Sequence, residues 1–393
     1  MAETTFGNAM TAPSPYEDAT HAAMRAQIRR FVETEVRPHG DAWEAEGRVP
    51  RAVFRRMGEL GFLGIRHPVE HGGIDGGAVA SAILAEELGR STYGGFSATV
   101  LVHTDMASPH LLHAGSPAQK DKYLPGIVRG DIITAIGVTE ADAGSDVAAM
   151  RMTARRADNG FVLNGAKMFI TNGVHGDLYV IAARTDPDAK GARGLSLFLV
   201  EKGAPGFRVG RELDKHGWRC SDTAELVFED CRLPGDGLLG VENEGFYAVM
   251  KNFQNERLCI GAVAVGEART ALDLTIAYTR ERKAFGGTLF DKQAIRHRLA
   301  MLEARVAAAR QLVYHTAWLM DRGVDAVREV SMVKALCGEL VNEVMYACVQ
   351  FHGGAGYMRE TPIERMSRDA RILAIGGGAT EIMLEEVAKR SPV

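Results

Sequence analysis

A run of small, hydroxyl and acidic residues, GVTEADAGSD at 137–146, has the composition of a loop that could approach a flat heterocycle or a pyrophosphate. Glycine permits backbone dihedral angles that other residues avoid, and it leaves N–H groups uncovered. The same run could equally form an acid-rich turn that caps its neighbours through Thr139, Asp142 and Ser145. The residue types alone leave both interpretations open.

A second candidate is a carboxylate on an apolar helix face. Apolar residues recur at helical spacing in this stretch, namely Phe246, Val249, Met250, Phe253, Ile260 and Ala264. Glu256 follows Phe253 by three residues and precedes Ile260 by four, so it projects from the same face. Burial raises the pKa of a carboxyl group, which suits a base that takes a proton from carbon near neutral pH. On spacing alone, a pair with a buried arginine or a local network is the commoner outcome.

Three segments of different periodicity must position these groups. Helical spacing dominates residues 17–131, and it returns in long runs at 241–284, 291–322 and 325–351. Between them lie short apolar runs bounded by turn residues, at 161–165, 167–172, 177–185, 195–202 and 223–230. These runs predict antiparallel strands, because no helix separates them as parallel pairing would require. The predicted class is α+β: an N-terminal helical domain (1–131), a central antiparallel β-sheet or barrel domain (132–238) and a C-terminal helical bundle (239–393).

One short motif in the chain matches the sequence pattern of a nicotinamide cofactor site. GDGLLG at 235–240 matches G-x-G-x-x-G, follows a predicted strand, and has Glu256 about 20 residues further on. The residues beyond it are helical and offer no second strand for a crossover sheet. We therefore expect a turn that leaves the β domain.

Five motifs together resemble the acyl-CoA dehydrogenase family across nearly the whole chain, with the long-chain and isovaleryl-CoA members most similar in pattern. They are GVTEADAGSD at 137–146, LNGAKMFITNG at 163–173, YTRERKAFG at 278–286, VQFHGGAGYMRE at 349–360 and SRDARILAIGGGATEI at 367–382. The resemblance implies FAD as cofactor, an acyl-CoA thioester as substrate, electron-transfer flavoprotein as oxidant and a homotetramer built from two dimers. It also implies that helical domains sandwich the β domain, with the flavin at their junction.

The resemblance implies cofactor-binding roles for individual residues. Around the flavin it places Ile136, Val138, Thr139, Gly144, Ser145, Phe169 and Thr171, with Ser145 also on the substrate side. For the pyrophosphate and adenosine of a cofactor held mainly by the neighbouring subunit, it indicates Arg282, Phe285, Gln293, Gln350, Gly353 and Gly354, and it adds Glu381 to the cofactor-binding residues. Many members have tryptophan at the Phe169 position. Phenylalanine keeps an apolar face for stacking.

The family's usual base is absent from this sequence. In many members a glutamate lies in the loop that here contains Gly377, whereas the Asn255-Glu256-Arg257 context resembles members that place the glutamate on the helix. The resemblance thus implies that Glu256 takes the α proton and flavin N5 receives the β hydride, giving a trans-2-enoyl-CoA. The backbone N–H of Gly377 would then donate to the thioester carbonyl. Arg257 would lie near the substrate or support Glu256.

Two enzyme alternatives stay open on the same scaffold: dehydrogenation of an acyl group tethered to a carrier protein, and flavin monooxygenase or oxidase chemistry. A candidate base on the apolar helix weighs against oxygen chemistry. A purely binding role is disfavoured, because both flavin motifs and a plausible base are present.

Composition excludes several other classes. The 46 basic and 50 acidic residues give a net charge of −4, too balanced for a nucleic-acid or anionic-membrane surface. No stretch has the ~20 apolar residues needed to cross a bilayer. The five cysteines lack a CxxC pair, and no acid or cysteine accompanies His103, His110, His113 or His352 at ligand spacing, so we expect no metal site. The N-terminus lacks a targeting pattern, and we expect a cytoplasmic protein.

Overall fold

The computed structural model describes residues 15–189 and 191–391. Within them the chain forms two compact units. The sheet unit comprises Pro38–Gly76 and Tyr93–Glu256, and the bundle unit comprises Gly77–Thr92 with the described parts of Met1–Arg37 and Arg257–Val393. The three-part division drawn from the sequence follows secondary-structure type and stays a prediction.

Short helices open the sheet unit. They are α2 (Gly40–Glu46), α3 (Arg51–Glu59), α5 (Gly94–Leu101), α6 (Ser108–Ala114) and α7 (Pro117–Val128). Between α5 and α6 the backbone widens into a π-helical turn, Val102–Ala107. Helix α7 shows why its residues form a helix: the Ser116 hydroxyl accepts the Gln119 N–H, the Gln119 side chain accepts the Ser116 N–H, and Pro117 occupies the first position.

Eight strands follow and form one sheet. They are β1 (Thr134–Gly137), β2 (Thr153–Ala157), β3 (Gly160–Thr171), β4 (Leu178–Arg184), β5 (Leu195–Glu201), β6 (Phe207–Glu212), β7 (Thr223–Pro234) and β8 (Leu238–Leu239). Their order is β6-β7-β3-β2-β4-β5-β8, with β1 also paired to β4. The predicted class is confirmed, but the sheet is mixed and open, because β4 pairs in parallel with β1 and, at one position, with β2.

Both faces of the central strands are buried. Leu178, Val180 and Ala182 of β4 pack in one apolar cluster, whereas Tyr179 and Ile181 pack in another on the opposite face. This arrangement explains why the strand is apolar throughout instead of alternating. The GDGLLG run forms a tight turn at Gly235–Gly237 followed by β8, which pairs with β5, so the run connects two strands of the sheet and the chain leaves the sheet only after it.

Helix α8 (Gly245–Glu281) continues into the bundle unit, whose other helices are α1 (Ala19–Phe31), α4 (Ala78–Gly89), α9 (Gln293–Asp321), α10 (Val327–His352), α11 (Pro362–Ala370) and α12 (Thr380–Arg390). A short hairpin, β9 (Lys283–Ala284) and β10 (Gly287–Thr288), follows α8. The Asp321 carboxylate accepts the N–H groups of Ala78 and Val79 and thereby caps α4. No helix among the described residues is long and apolar enough to cross a membrane.

Candidate active site

The loop after β1 folds back on β3. Glu140 and Ala143 close a tight turn through reciprocal backbone hydrogen bonds of 3.0 and 3.3 Å. Thr139 O accepts the Met168 N–H at 2.9 Å, which fastens the loop to β3. Gly144 and Ser145 are exposed beyond the turn, and a Cβ added at Gly144 would meet nothing within 4 Å. The loop is therefore fixed at Thr139, Glu140 and Ala143 and exposed at Gly144 and Ser145.

Strand β3 contains a bulge that turns one aromatic ring outward. Lys167 pairs with Leu226, and the next pair is Ile170 with Ala224, so β3 has one extra residue here. Phe169 within the bulge has a φ of 63° and is 66% exposed. A large side chain in the left-handed region is a strained arrangement that surrounding contacts must hold. Two residues on, Thr171 ends the strand.

The sheet unit thus gathers the flavin-facing residues predicted from the sequence. They lie on β1, on its following loop and on the adjoining end of β3, namely Ile136, Val138, Thr139, Gly144, Ser145, Phe169 and Thr171. Ile136 and Thr139 are half-buried and Val138 is buried.

The predicted phosphate and adenosine residues belong to the bundle unit. Arg282 follows α8 at the start of the hairpin, and Phe285 at its tip has a φ of 50° and is 94% exposed. The exposed Gln293 begins α9 and the exposed Gln350 lies near the end of α10. Gly353, with a φ of 58°, ends α10 in a turn.

Two side chains that sequence reasoning did not assign join these helix ends. The Tyr278 ring stacks on the His352 ring at 4.3 Å between centroids, and the Tyr278 hydroxyl donates to the His352 carbonyl at 3.2 Å. The stack links the end of α8, one turn before Arg282, to the glycine turn at Gly353 and Gly354. His352 also bonds to its own helix through the Cys348 carbonyl, so it is a structural histidine.

Glu256 lies on helix α8 with 9% of its surface exposed, as its position on the apolar face predicts. The preceding residue, Asn255, donates to the Asp105 side chain at 2.9 Å and accepts from Arg66. One turn earlier, Asn252 donates to the carbonyls of Asp105 and Met106. These bonds fasten α8 to the π-helical turn, a feature that is frequent at functional sites.

The glycine loop at 376–378 is in the bundle unit, together with Arg257. Gly377 and Gly378 have φ values of 66° and 108°, a conformation that side chains disfavour. A Cβ at Gly378 would lie 3.5 Å from Arg257 Nε, so the structure does bring Arg257 beside this loop. Glu381 is exposed in the first turn of α12.

The residues of each unit, taken separately, fit part of a flavin dinucleotide. Phe169 in the sheet unit and Phe285 in the bundle unit each expose an apolar ring of the kind that an aromatic ligand covers. Added Cβ atoms at Gly144, Gly353 and Gly354 would meet nothing within 4 Å, so the backbone at these positions leaves space for a ligand to approach. No group of three or more His, Cys, Asp or Glu side chains in the described part of the chain could hold a metal ion.

Three domains of one known family match consecutive segments that cover nearly the whole chain. Residues 18–131, 135–231 and 243–391 match the N-terminal, middle and C-terminal domains of acyl-CoA dehydrogenase. The mouse (Mus musculus) mitochondrial long-chain specific acyl-CoA dehydrogenase is 41% identical over 378 residues, which span 94% of this chain and 86% of that protein.

Solved structures of other proteins superpose closely on this chain. The acyl-CoA dehydrogenase of Geobacillus kaustophilus superposes with a TM-score of 0.93 and 38% identity, covering 97% of this chain and all of that one. An FAD complex of PigA superposes with a TM-score of 0.92 and 29% identity, covering 95% and 98% of the two chains.

This chain belongs to the acyl-CoA dehydrogenase family. It is an oxidoreductase that acts on CH–CH groups, FAD is its cofactor, and it dehydrogenates acyl-CoA with the flavin.

Proposed function

We propose that Glu256 is the base that removes the α proton of the acyl-CoA and that the product is the trans-2-enoyl-CoA. The observation that carries this proposal is a carboxylate buried to 9% exposure on a helix held by Asn252 and Asn255. A base must keep a fixed position against the carbon it deprotonates, and a residue on an anchored helix meets that requirement. Gly377, at the position where many family members have the base, has no side chain to supply one.

Gly377 and Arg257 support the same reaction. As deprotonation proceeds, negative charge develops on the thioester oxygen, and a fixed N–H donor aimed at that oxygen lowers the barrier. We assign this donor to the Gly377 backbone. Arg257, which lies against the loop at Gly378, keeps the loop in place beside the substrate.

The cofactor residues are proposed as a set. The loop from Val138 to Ser145, with Phe169 and Thr171, holds the flavin ring, and Arg282, Phe285, Gln293, Gln350, Gly353, Gly354 and Glu381 hold the dinucleotide. When bound, FAD supplies the acceptor for two electrons and the β hydrogen. The Arg282 guanidinium suits a phosphate, because it donates several charge-assisted hydrogen bonds in one plane.

We propose a homotetramer in a reducing cytoplasm, with electron-transfer flavoprotein as oxidant. Self-association is supported by large apolar side chains exposed on the bundle unit, including Phe285 (94%), Tyr346 (76%), Tyr357 (79%) and Met301 (57%). A reducing compartment agrees with the five cysteines, all within the described residues, which form no disulfide.

The test is anaerobic titration of the enzyme with short, long, branched and aromatic acyl-CoAs, following loss of flavin absorbance. With the best substrate, Glu256→Gln should reduce the flavin about 100-fold to 10,000-fold more slowly, the range that general base catalysis contributes. A Glu256→Gln variant that bleaches as fast as the wild type would refute the base. Wild-type bleaching only with carrier-protein thioesters, or only with oxygen present, would favour one of the two alternatives.

Glu267→Gln is the matched control, because Glu267 is also buried on α8, with 3% exposure. Burial and the nearby Asp369 raise the pKa of Glu267 well above its ordinary value. Glutamine keeps the volume of the side chain and resembles the protonated form that burial favours. We expect this variant to reduce the flavin at the wild-type rate.

A further inference from the structure

Lys167, a buried cation, contacts the loop that follows β1. Its Nζ donates to the Val138 carbonyl at 3.1 Å and to Glu140 Oε1 at 2.8 Å. The Lys167 side chain is fully buried, and the Glu140 side chain is 11% exposed. Neither residue is among the site residues predicted from the sequence.

Glu140 joins the two ends of the loop. Its Oε2 accepts the Arg151 N–H at 2.7 Å and its Oε1 accepts the Met152 N–H at 2.9 Å, just before β2 begins. One carboxylate therefore connects Lys167 on β3 with the point where the loop enters β2. The segment 138–152 is closed at its base by this ion pair.

Gly137, at the end of β1, leaves room for the lysine. A Cβ there would lie 3.2 Å from Lys167 Cγ and 2.7 Å from Ile181 Cδ1. Lys167 is also the last residue in register before the bulge that exposes Phe169. The same lysine thus fixes the loop on one side and the start of the bulge on the other.

Stability alone is a weak reason for such a pair. Removing two charges from water costs about as much as their attraction returns, and an apolar replacement of similar volume is often neutral. The better-attested use of a buried ion pair is to select one conformation among several. Here the selected conformation is that of the loop carrying Thr139, Gly144 and Ser145.

We propose that Lys167 and Glu140 are positioning residues for FAD, and that their ion pair sets the loop at 138–146 against β3 in the arrangement that receives the flavin. This inference rests on the proposed assignment of that loop to the flavin. It does not depend on which residue is the base.

The proposal has a pH signature. Burial lowers the pKa of the Lys167 ammonium to about 8, and the attraction of Glu140 opposes that fall. Glu140 is the one charged group that the described structure places in contact with it. As the pH rises through about 8, Lys167 loses its proton and the pair loses its charge-assisted bond. FAD affinity should therefore fall between about pH 7 and pH 9 in the wild type.

The test is FAD release from diluted holoenzyme, measured by the fluorescence of free flavin at several pH values. Lys167→Met should raise the FAD dissociation constant about tenfold or more near pH 7 and should flatten the fall at higher pH. Lys122→Met is the matched control, since Lys122 also lies 2.8 Å from a glutamate oxygen, that of Glu201, but both side chains are exposed. Circular dichroism establishes that each variant is folded.

A Lys167→Met dissociation constant within about twofold of the Lys122→Met value would overturn the proposal. Should Lys167→Met fail to fold, the FAD dissociation constant of Glu140→Gln is compared with that of Lys122→Met in the same way. Glu140→Gln removes the negative charge and one of the acceptors for Arg151 and Met152 while keeping the volume of the side chain. A wild-type protein that retains no FAD would refute the flavin assignment of the loop itself, a separate result.

Discussion

Acidification from pH 7 to pH 5 should destabilise the sheet unit through its buried histidines. Burial lowers the pKa of His67 to about 4, of His103 to about 3 and of His110 to about 4, from an ordinary 6.5. The environment of His103 shows the reason. Its Nδ1 accepts the Thr134 N–H at 3.1 Å and its Nε2 donates to the Ile127 carbonyl at 3.1 Å, so a second proton would face an N–H donor.

Proton uptake by the unfolded chain determines the sign and size of the change in the free energy of unfolding. Below about pH 6.5 the unfolded chain binds a proton at each of these histidines while the folded chain does not, so the free energy of unfolding falls as the pH falls. At pH 5 each histidine costs about 2 kcal/mol, and this figure is the same for any folded pKa well below 5. Together they cost about 6 kcal/mol, which is comparable with the whole stability of many domains.

The assay is urea unfolding at pH 7 and pH 5, followed by circular dichroism. His103→Gln is the informative variant, because the amide can donate to Ile127 and accept from Thr134 but does not titrate. Its loss of unfolding free energy between the two pH values should be about 2 kcal/mol smaller than that of the wild type. The exposed His216 is the control position, where His216→Gln should behave as the wild type. Equal losses for His103→Gln and the wild type would refute the reasoning.

Two further predictions concern packing. Glu86→Gln should lower the free energy of unfolding at pH 7 by about 1.5–3 kcal/mol in urea titrations, because Arg25 and Arg310, which hold the pKa of Glu86 at about 2, would each lose one of their buried carboxylate partners; an unchanged midpoint would contradict this. Gly137→Ala should cost about 1–3 kcal/mol and weaken FAD binding, because its Cβ would lie 2.7 Å from Ile181 Cδ1. Thermal unfolding with and without added FAD measures both effects.

The sequence predicted the helices more closely than the sheet. The long runs at 241–284, 291–322 and 325–351 correspond to α8, α9 and α10, because helical periodicity repeats over many turns and is little disturbed at its ends. Strands β1, β2, β6 and β8 of the sheet were not predicted. Each has six residues or fewer, and β2 and β6 contain arginines, so the apolar runs within them are short.

The bulge in β3 explains another difference. The sequence suggested two runs, 161–165 and 167–172, whereas the structure has one strand, Gly160–Thr171, with irregular register. Alternation of apolar and polar residues cannot predict an extra residue, because the period of two fails where the bulge lies. Motif resemblance could indicate that Phe169 faces a flavin, but the direction of its ring follows from pairing with β7.

The interactions that hold the site were the least predictable part. Lys167 and Glu140 are 27 residues apart in the chain. Nothing in the types of Tyr278 and His352 indicates a stack. Long-range pairs of this kind depend on how strands and helix ends meet, which local periodicity does not encode. A buried lysine in an apolar strand is nevertheless a usable signal, because lysine is almost never fully buried without a partner.

Phe169 in the sheet unit and Phe285 in the bundle unit both depart from the usual backbone conformation and burial of phenylalanine. Each has a positive φ, and each exposes most of an aromatic ring, although folding alone favours neither. Each is also held by a lysine: Lys167 anchors the strand two residues before Phe169, and Lys292 Nζ donates to the Phe285 carbonyl at 2.9 Å. Such strain persists where contacts over-determine the backbone, and it concentrates at ligand sites. Under the proposed assignment of both rings to FAD, the two lysines fix the backbone before the cofactor binds, and a pre-formed site costs less ordering entropy when the cofactor enters.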